Sequence, residues 1–193
     1  MSLRKIVFDI ETANQFSDVG SYDASALDIS VVGVYDSKDN SFTAYLEEDF
    51  PTLWSVLEEA DLLIGYNSDH FDIPLLNKYY PGDLTRIKSV DLLKEIKESL
   101  GKRLKLDSVA EATLGVNKSG HGLDALKWWN EGKVEKVKQY CLDDVKITRD
   151  LYEYARENKH LKYKDWNAIK EIPLKPDDWE TEEESAMTHT LPL

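Results

Sequence analysis

With 193 residues, 41% of them hydrophobic, the chain can bury one sizeable core but not two comfortable ones. Its longest apolar runs, such as Leu62-Leu63-Ile64, are far too short to cross a bilayer. The N-terminus carries no signal-peptide pattern, and a lone cysteine, Cys141, excludes an internal disulfide or a thiolate metal cluster, so a cytoplasmic protein is the expectation. The net charge of −13 is unevenly spread: residues 1–77 hold 15 acids against 3 bases and residues 171–193 hold 7 against 1, whereas residues 78–105 hold 4 acids and 8 bases, enough for a local positive surface toward a polyanion.

In chain order, the first predicted element is a strand, Lys5-Ile6-Val7-Phe8-Asp9-Ile10-Glu11-Thr12, whose apolar lead ends in two carboxylates spaced two apart. Strand side chains alternate, so Asp9 and Glu11 share a face, a costly arrangement unless something positive sits between them. A solvated strand end is the plainer alternative. A polar loop follows, then a hairpin of strands at 27–35 and 42–46 around Asp36-Ser37-Lys38-Asp39-Asn40. Asp49-Phe50-Pro51 opens a helix with the apolar stripe Leu53, Val56, Leu57 and Ala60.

Leu62 to Asn67 reads as a short buried strand and turn, residues 71–80 as a helix closed by Pro81-Gly82, residues 87–92 as a weaker strand, and 93–100 as a helix ended by Gly101. Ser108 to Glu111 has capping-box spacing for a short helix stopped by Gly115. After a loop at 117–122 come helices at 123–130 and 134–157. A hairpin followed by alternating strands and helices predicts an α/β domain with a mixed sheet over residues 1–170, followed by an acidic, irregular tail at 171–193.

Two further places put acids in structured contexts. Asp72 begins a helix just after the buried strand, where plain helix-dipole stabilisation would also explain it. Tyr140 and Asp144 lie four apart on one helical face. As alternatives, Tyr140 is a partly buried aromatic and Asp144 a solvated partner for neighbouring lysines. Asp143 competes with Asp144 but points about 100° away, and Asp69 competes with Asp72 without a preceding Phe.

Taken in order, these segments resemble the motifs of the DEDD superfamily of 3′→5′ exonucleases, which have a ribonuclease-H-like fold. Phe-Asp-Ile-Glu-Thr is similar to the first motif, Asn67-x-x-x-Phe71-Asp72-x-x-x-Leu76 to the second, and Tyr140-x-x-x-Asp144 to the third. The segments also resemble the proofreading domains of family B DNA polymerases and stand-alone bacterial relatives, as does Lys105-Leu106-Asp107-Ser108-Val109-Ala110. Because Gln139 stands where the histidine branch carries its His, the likeness is to the tyrosine (DEDDy) branch.

The resemblance implies a single-domain α/β fold with a mixed β-sheet flanked by helices. It also implies hydrolysis of phosphodiester bonds at single-stranded DNA or RNA 3′ ends, releasing nucleoside 5′-monophosphates. Such chemistry uses two hard cations, Mg2+ or Mn2+, held by carboxylates about 3.5–4 Å apart. By the same resemblance Asp9 bridges both ions, Glu11 and Asp144 hold the water-activating one, Asp72 anchors the other, and Tyr140 orients the attacking water. Thr12, Asn67 and Phe71 become substrate contacts. A ribonuclease-H-like endonuclease, a catalytically silent nucleic-acid-binding domain and a purely structural acid cluster binding calcium are the alternatives. Trp128-Trp129 reads as core packing ahead of base stacking, Cys141 as a small buried hydrophobe, and His70 and His121 as loop residues.

Overall fold

The structure, a computed structural model, describes residues 3–116 and 122–181. Strands β1 (Lys5–Thr12), β2 (Ile29–Asp36), β3 (Ser41–Tyr45), β4 (Leu62–Gly65) and β5 (Ser89–Asp91) form one sheet, and β6 (His160–Asp165) and β7 (Ala168–Pro173) form a separate hairpin. The helices are α1 (Phe16–Val19), α2 (Phe50–Glu58), α3 (Asp72–Asn77), α4 (Leu92–Leu100), α5 (Leu106–Leu114), α6 (Gly122–Asn130) and α7 (Val134–Asn158). The sheet order is β3-β2-β1-β4-β5, antiparallel across β1, β2 and β3 and parallel across β1, β4 and β5. It is the mixed α/β sheet expected from the sequence. No helix among the described residues is long and apolar enough to cross a membrane.

β1 is the centre of the molecule because both of its faces are apolar. Ile6, Phe8 and Ile10 pack with Phe50, Leu53 and Leu57 of α2 and with Ile73, Leu75 and Leu76 of α3. Val7 faces the opposite layer, with Val109 and Ala110 of α5 and Val145, Leu151 and Tyr152 of α7. Side-chain alternation then commits Asp9 and Glu11 to the α7 side. α7 lies close over the sheet because Gly33 of β2 has no side chain: a Cβ there would stand 2.9 Å from the Cys141 sulfur and 3.0 Å from Val145.

Some local expectations are corrected. α5 opens at Leu106, not at Ser108, with Lys105 as its N-cap, so the Ser108–Glu111 spacing falls inside the helix and caps nothing. The helix expected at 71–80 is shorter, Asp72–Asn77. The loop expected at 117–122 lies outside the described residues at 117–121 and is already α6 at Gly122. In its described part, 171–181, the tail expected to be irregular instead continues β7, turns at Pro176–Asp178 and buries Trp179, whose ring stacks on Tyr152 at 5.4 Å; residues 182–193 lie outside the described residues. The acidic surface composition there conceals a few inward-facing apolar anchors, Ile172, Leu174 and Trp179.

Candidate active site

β1 and α7 bring the first and third acidic motifs together. One carboxylate oxygen from each of Asp9, Glu11 and Asp144 can be chosen so that all lie within 4.8 Å of one another. Asp144 is only 4% exposed and Glu11 9%. It sits on the inward stripe of α7 with Val137, Tyr140, Cys141, Val145 and Thr148, whereas Asp143 turns aside to accept a hydrogen bond from Gln139 at 2.8 Å. Carboxylates this close repel one another, and a hard divalent cation with oxygen ligands would relieve that repulsion. The three grouped donors are carboxylate oxygens, which suit a hard cation such as Mg2+ or Mn2+.

Cys141 adds a feature the sequence did not announce. Its thiol donates to the Asp9 carbonyl oxygen at 3.3 Å and lies 3.7 Å from the Asp9 carboxylate. Burial, and then the charges of Asp9, Glu11 and Asp144, push the thiol well above its ordinary pKa. The sulfur therefore stays protonated and acts as a weak donor that holds Asp9, while also filling core space as expected.

Asp72 arrives by a different route. β1 and β4 pair only as far as Val7 and Ile64, so the β1 edge beyond is open. The first turn of α3 docks there, with Asp72 5% exposed. Desolvation, and then the charge of Asp91, push the Asp72 carboxyl up to about 8, against the opposing pull of its own backbone amide and that of Ile10. Asp72 thus reaches Ile10, the β1 residue between Asp9 and Glu11, but stands outside the three-carboxylate group. Its competitor Asp69 is committed elsewhere, to Ser89 and Lys94.

Asp91, not singled out from the sequence, holds the second motif in place. It is 4% exposed and caps α4 through the amides of Leu93 and Lys94, while also accepting the amides of Asn67 at 2.7 Å and Asp69 at 3.2 Å. One carboxylate thereby pins the loop that leads to Asp72. Asn67 in that loop is left-handed, φ 70°, a conformation asparagine tolerates better than most residues.

Tyr140, 2% exposed, lies one helical turn before Asp144, with its ring edge-on to Trp128 at 6.0 Å. Trp128 and Trp129 pack against Val31, Ala125, Val137, Tyr140 and Cys141, the core role favoured from the sequence. His70 is exposed, and His121 lies outside the described residues.

A cleft of about 1070 Å3 opens over Glu11 and includes Thr12, Asn67 and Phe71, the candidate substrate contacts. Phe16 and Phe71 meet edge to face in it at 6.2 Å. The same cleft carries Arg103 and Lys105; for Arg103 the signal in the sequence was the excess of bases in residues 78–105, while Lys105 opens the segment already noted for its likeness to proofreading domains.

Comparison with known proteins agrees with this architecture. A family model described as RNase_H superfamily matches residues 6–156. Among solved structures, the family B DNA polymerase of the hyperthermophilic archaeon Pyrobaculum calidifontis is similar, with a TM-score of 0.61 at 22% identity, covering 81% of this chain. The chain spans only 25% of the length of that polymerase, and at this identity the likeness concerns the fold. Comparison with curated protein sequences returns no match.

Proposed function

The chain belongs to the RNase_H superfamily, and from that premise we propose that it is a metal-dependent 3′→5′ exonuclease that hydrolyses single-stranded DNA or RNA from the 3′ end and releases nucleoside 5′-monophosphates. The observation that carries this reading is the convergence of Asp9, Glu11 and Asp144, with carboxylate oxygens within 4.8 Å, from two elements far apart in sequence. The likeness of the three motifs to the tyrosine branch of the DEDD exonucleases supports the choice of reaction.

In this reading Asp9, Glu11 and Asp144 would hold one divalent cation, and Asp72 with Asp9 would hold a second. Mg2+ or Mn2+ bound there would supply Lewis acidity toward the attacking water and the leaving 3′ oxygen. Tyr140 orients the attacking water by its hydroxyl, so that the attack is in line with the leaving group. Thr12 and Asn67 offer hydrogen bonds to the terminal nucleotide, and Phe71 offers a face for its base. The Cys141 thiol, donating to the Asp9 carbonyl oxygen, ties β1 at Asp9 to α7.

The test is a gel time course on 3′- and 5′-labelled DNA and RNA oligomers and on a covalently closed circle, with Mg2+, Mn2+ or chelator. The expected result is a ladder of 5′-labelled products shortening from the 3′ end, abolished by chelator and by Asp9→Ala, with the circle untouched. Cleavage of the circle would replace the exonuclease with an endonuclease. Strand binding without any cleavage would leave a silent binding domain.

A further inference from the structure

We propose that Arg103, with Lys105 beside it, is a binding site for a backbone phosphate of the substrate strand, on the wall of the cleft beyond the acid cluster; this rests on the nucleic-acid reading of the cleft above. The chain is strongly acidic, and its buried or half-buried arginines are claimed by carboxylates: Arg4 by Asp36 and Glu59, Arg149 by Asp150, Arg156 by Glu153 and Glu180. Arg103 is exposed, and what holds it is of another kind. Its guanidinium donates to a neutral acceptor, the Asn67 side-chain oxygen, at 2.5 Å, and among the described residues it has no carboxylate partner. Lys105 likewise forms no ion pair among the described residues, although both line a cleft that also contains Glu11, Asp107 and Asp124.

The anchoring is specific. Asn67 is left-handed and its amide is fixed by Asp91 at 2.7 Å, so the oxygen that steadies Arg103 belongs to the same pinned loop that leads to Asp72. A guanidinium carries five N–H donors in a rigid fork, and one contact to Asn67 leaves a pair for the oxygens of a phosphodiester. Lys102, one residue earlier, turns away from the cleft and lies over the Tyr163 ring at 4.6 Å. The loop therefore presents its basic residues to two different surfaces. Phe16 and Phe71, in contact edge to face, line the same cleft. Aromatic rings and cations lining one cleft match a single strand, which offers both base faces and backbone phosphates.

The probe is a 5′-fluorescein-labelled 12-mer of dT, with a matching rU strand, measured by anisotropy in chelator so that binding is read without cleavage. Arg103→Gln should weaken binding about tenfold and flatten the plot of log affinity against log salt by about 0.7, the release expected for one contact to a single strand. Arg103→Lys should restore the salt slope but not all of the affinity, because the charge returns without the fork. Lys102→Gln should bind as the unaltered protein does. Unchanged affinity and slope in Arg103→Gln would overturn the site, as would absence of strand binding by the unaltered protein. If strand binding depends on Arg103 but the gel assay shows no cleavage, the phosphate site stands and the exonuclease reading falls. If cleavage proceeds and Arg103→Gln leaves both KM and binding unmoved, the reverse holds.

Discussion

Gly33 lies directly opposite Asp9 in the β1–β2 ladder, and the space its side chain would fill is taken by the sulfur of Cys141, 2.9 Å from where a Cβ would stand. The backbone carbon of Cys141 would be only 3.3 Å away, so α7 itself would have to shift. α7 carries Asp144 and Tyr140, and its distance from β1 sets the spacing of the acid cluster. Gly33→Ala should therefore cost about 1–3 kcal/mol of stability through overpacking. It should also weaken Mg2+ or Mn2+ binding, although it touches no carboxylate. Urea denaturation and calorimetric titration check the two effects. Unchanged values in both would mean that α7 has room to spare.

Asp72 gives a pH dependence with a definite sign in the metal-free protein. Burial and the Asp91 charge raise its carboxyl from 3.8 to about 8 in the fold. Between those values the folded state holds a proton that the unfolded chain has released. The contribution is full below about pH 4 and is lost as pH rises through about 8. In chelator, the stability difference between the unaltered protein and Asp72→Asn should shift steadily against the unaltered protein from pH 5 to pH 8. A difference that stays flat with pH would show that Asp72 is ionised in the fold. Divalent metal should reverse the trend, since ligation favours the ionised carboxylate.

Parts of this site could be read from the sequence because they follow local periodicity. The alternation along β1 puts Asp9 and Glu11 on one face, and the turn of α7 selects Asp144 over Asp143 and pairs it with Tyr140. Residues whose part depends on distant neighbours gave no such signal. Asp91 reads as an ordinary helix cap until the Asn67 and Asp69 amides are seen to share it. Arg103 looks like one base among many until its neutral partner is known. The β6–β7 hairpin escaped for a third reason. Leu161-Lys162-Tyr163-Lys164 does alternate, but its partner strand buries only Ile172 and so carries no pattern of its own, and the left-handed residue at the turn is Trp166, φ 56°, where a turn signal would call for Asn or Gly.

The end of the described chain makes a stability prediction that composition alone would have missed. Trp179 is 5% exposed and stacks on Tyr152, and the next residue, Glu180, accepts from Lys5, Arg156 and the Tyr152 hydroxyl. Trp179→Ala should cost about 3–5 kcal/mol, the range for removing a buried Trp or Phe side chain. The contact with Lys5 is at the opposite end of β1 from Glu11, so activity per folded molecule should be kept. Denaturation curves and activity at a temperature well below the lowered Tm separate the two. A loss under about 1 kcal/mol would mean that the tail merely rests on the surface.

Tyr140→Phe isolates the part of the site that does not bind metal. The ring would keep its edge-on contact with Trp128 and its place among Val31, Val137 and Cys141, so neither fold nor carboxylate spacing should change. Only the hydroxyl is lost. If it orients the attacking water, single-turnover cleavage should slow by about 100-fold, the size of effect expected when a reacting group loses its alignment. Calorimetric binding of Mg2+ or Mn2+ and KM for the oligomer should hold at their original values. A fall in metal affinity would instead place the hydroxyl among the groups that support the carboxylates. Full activity would assign the positioning of the water to another residue, leaving Tyr140 as core packing between α6 and α7.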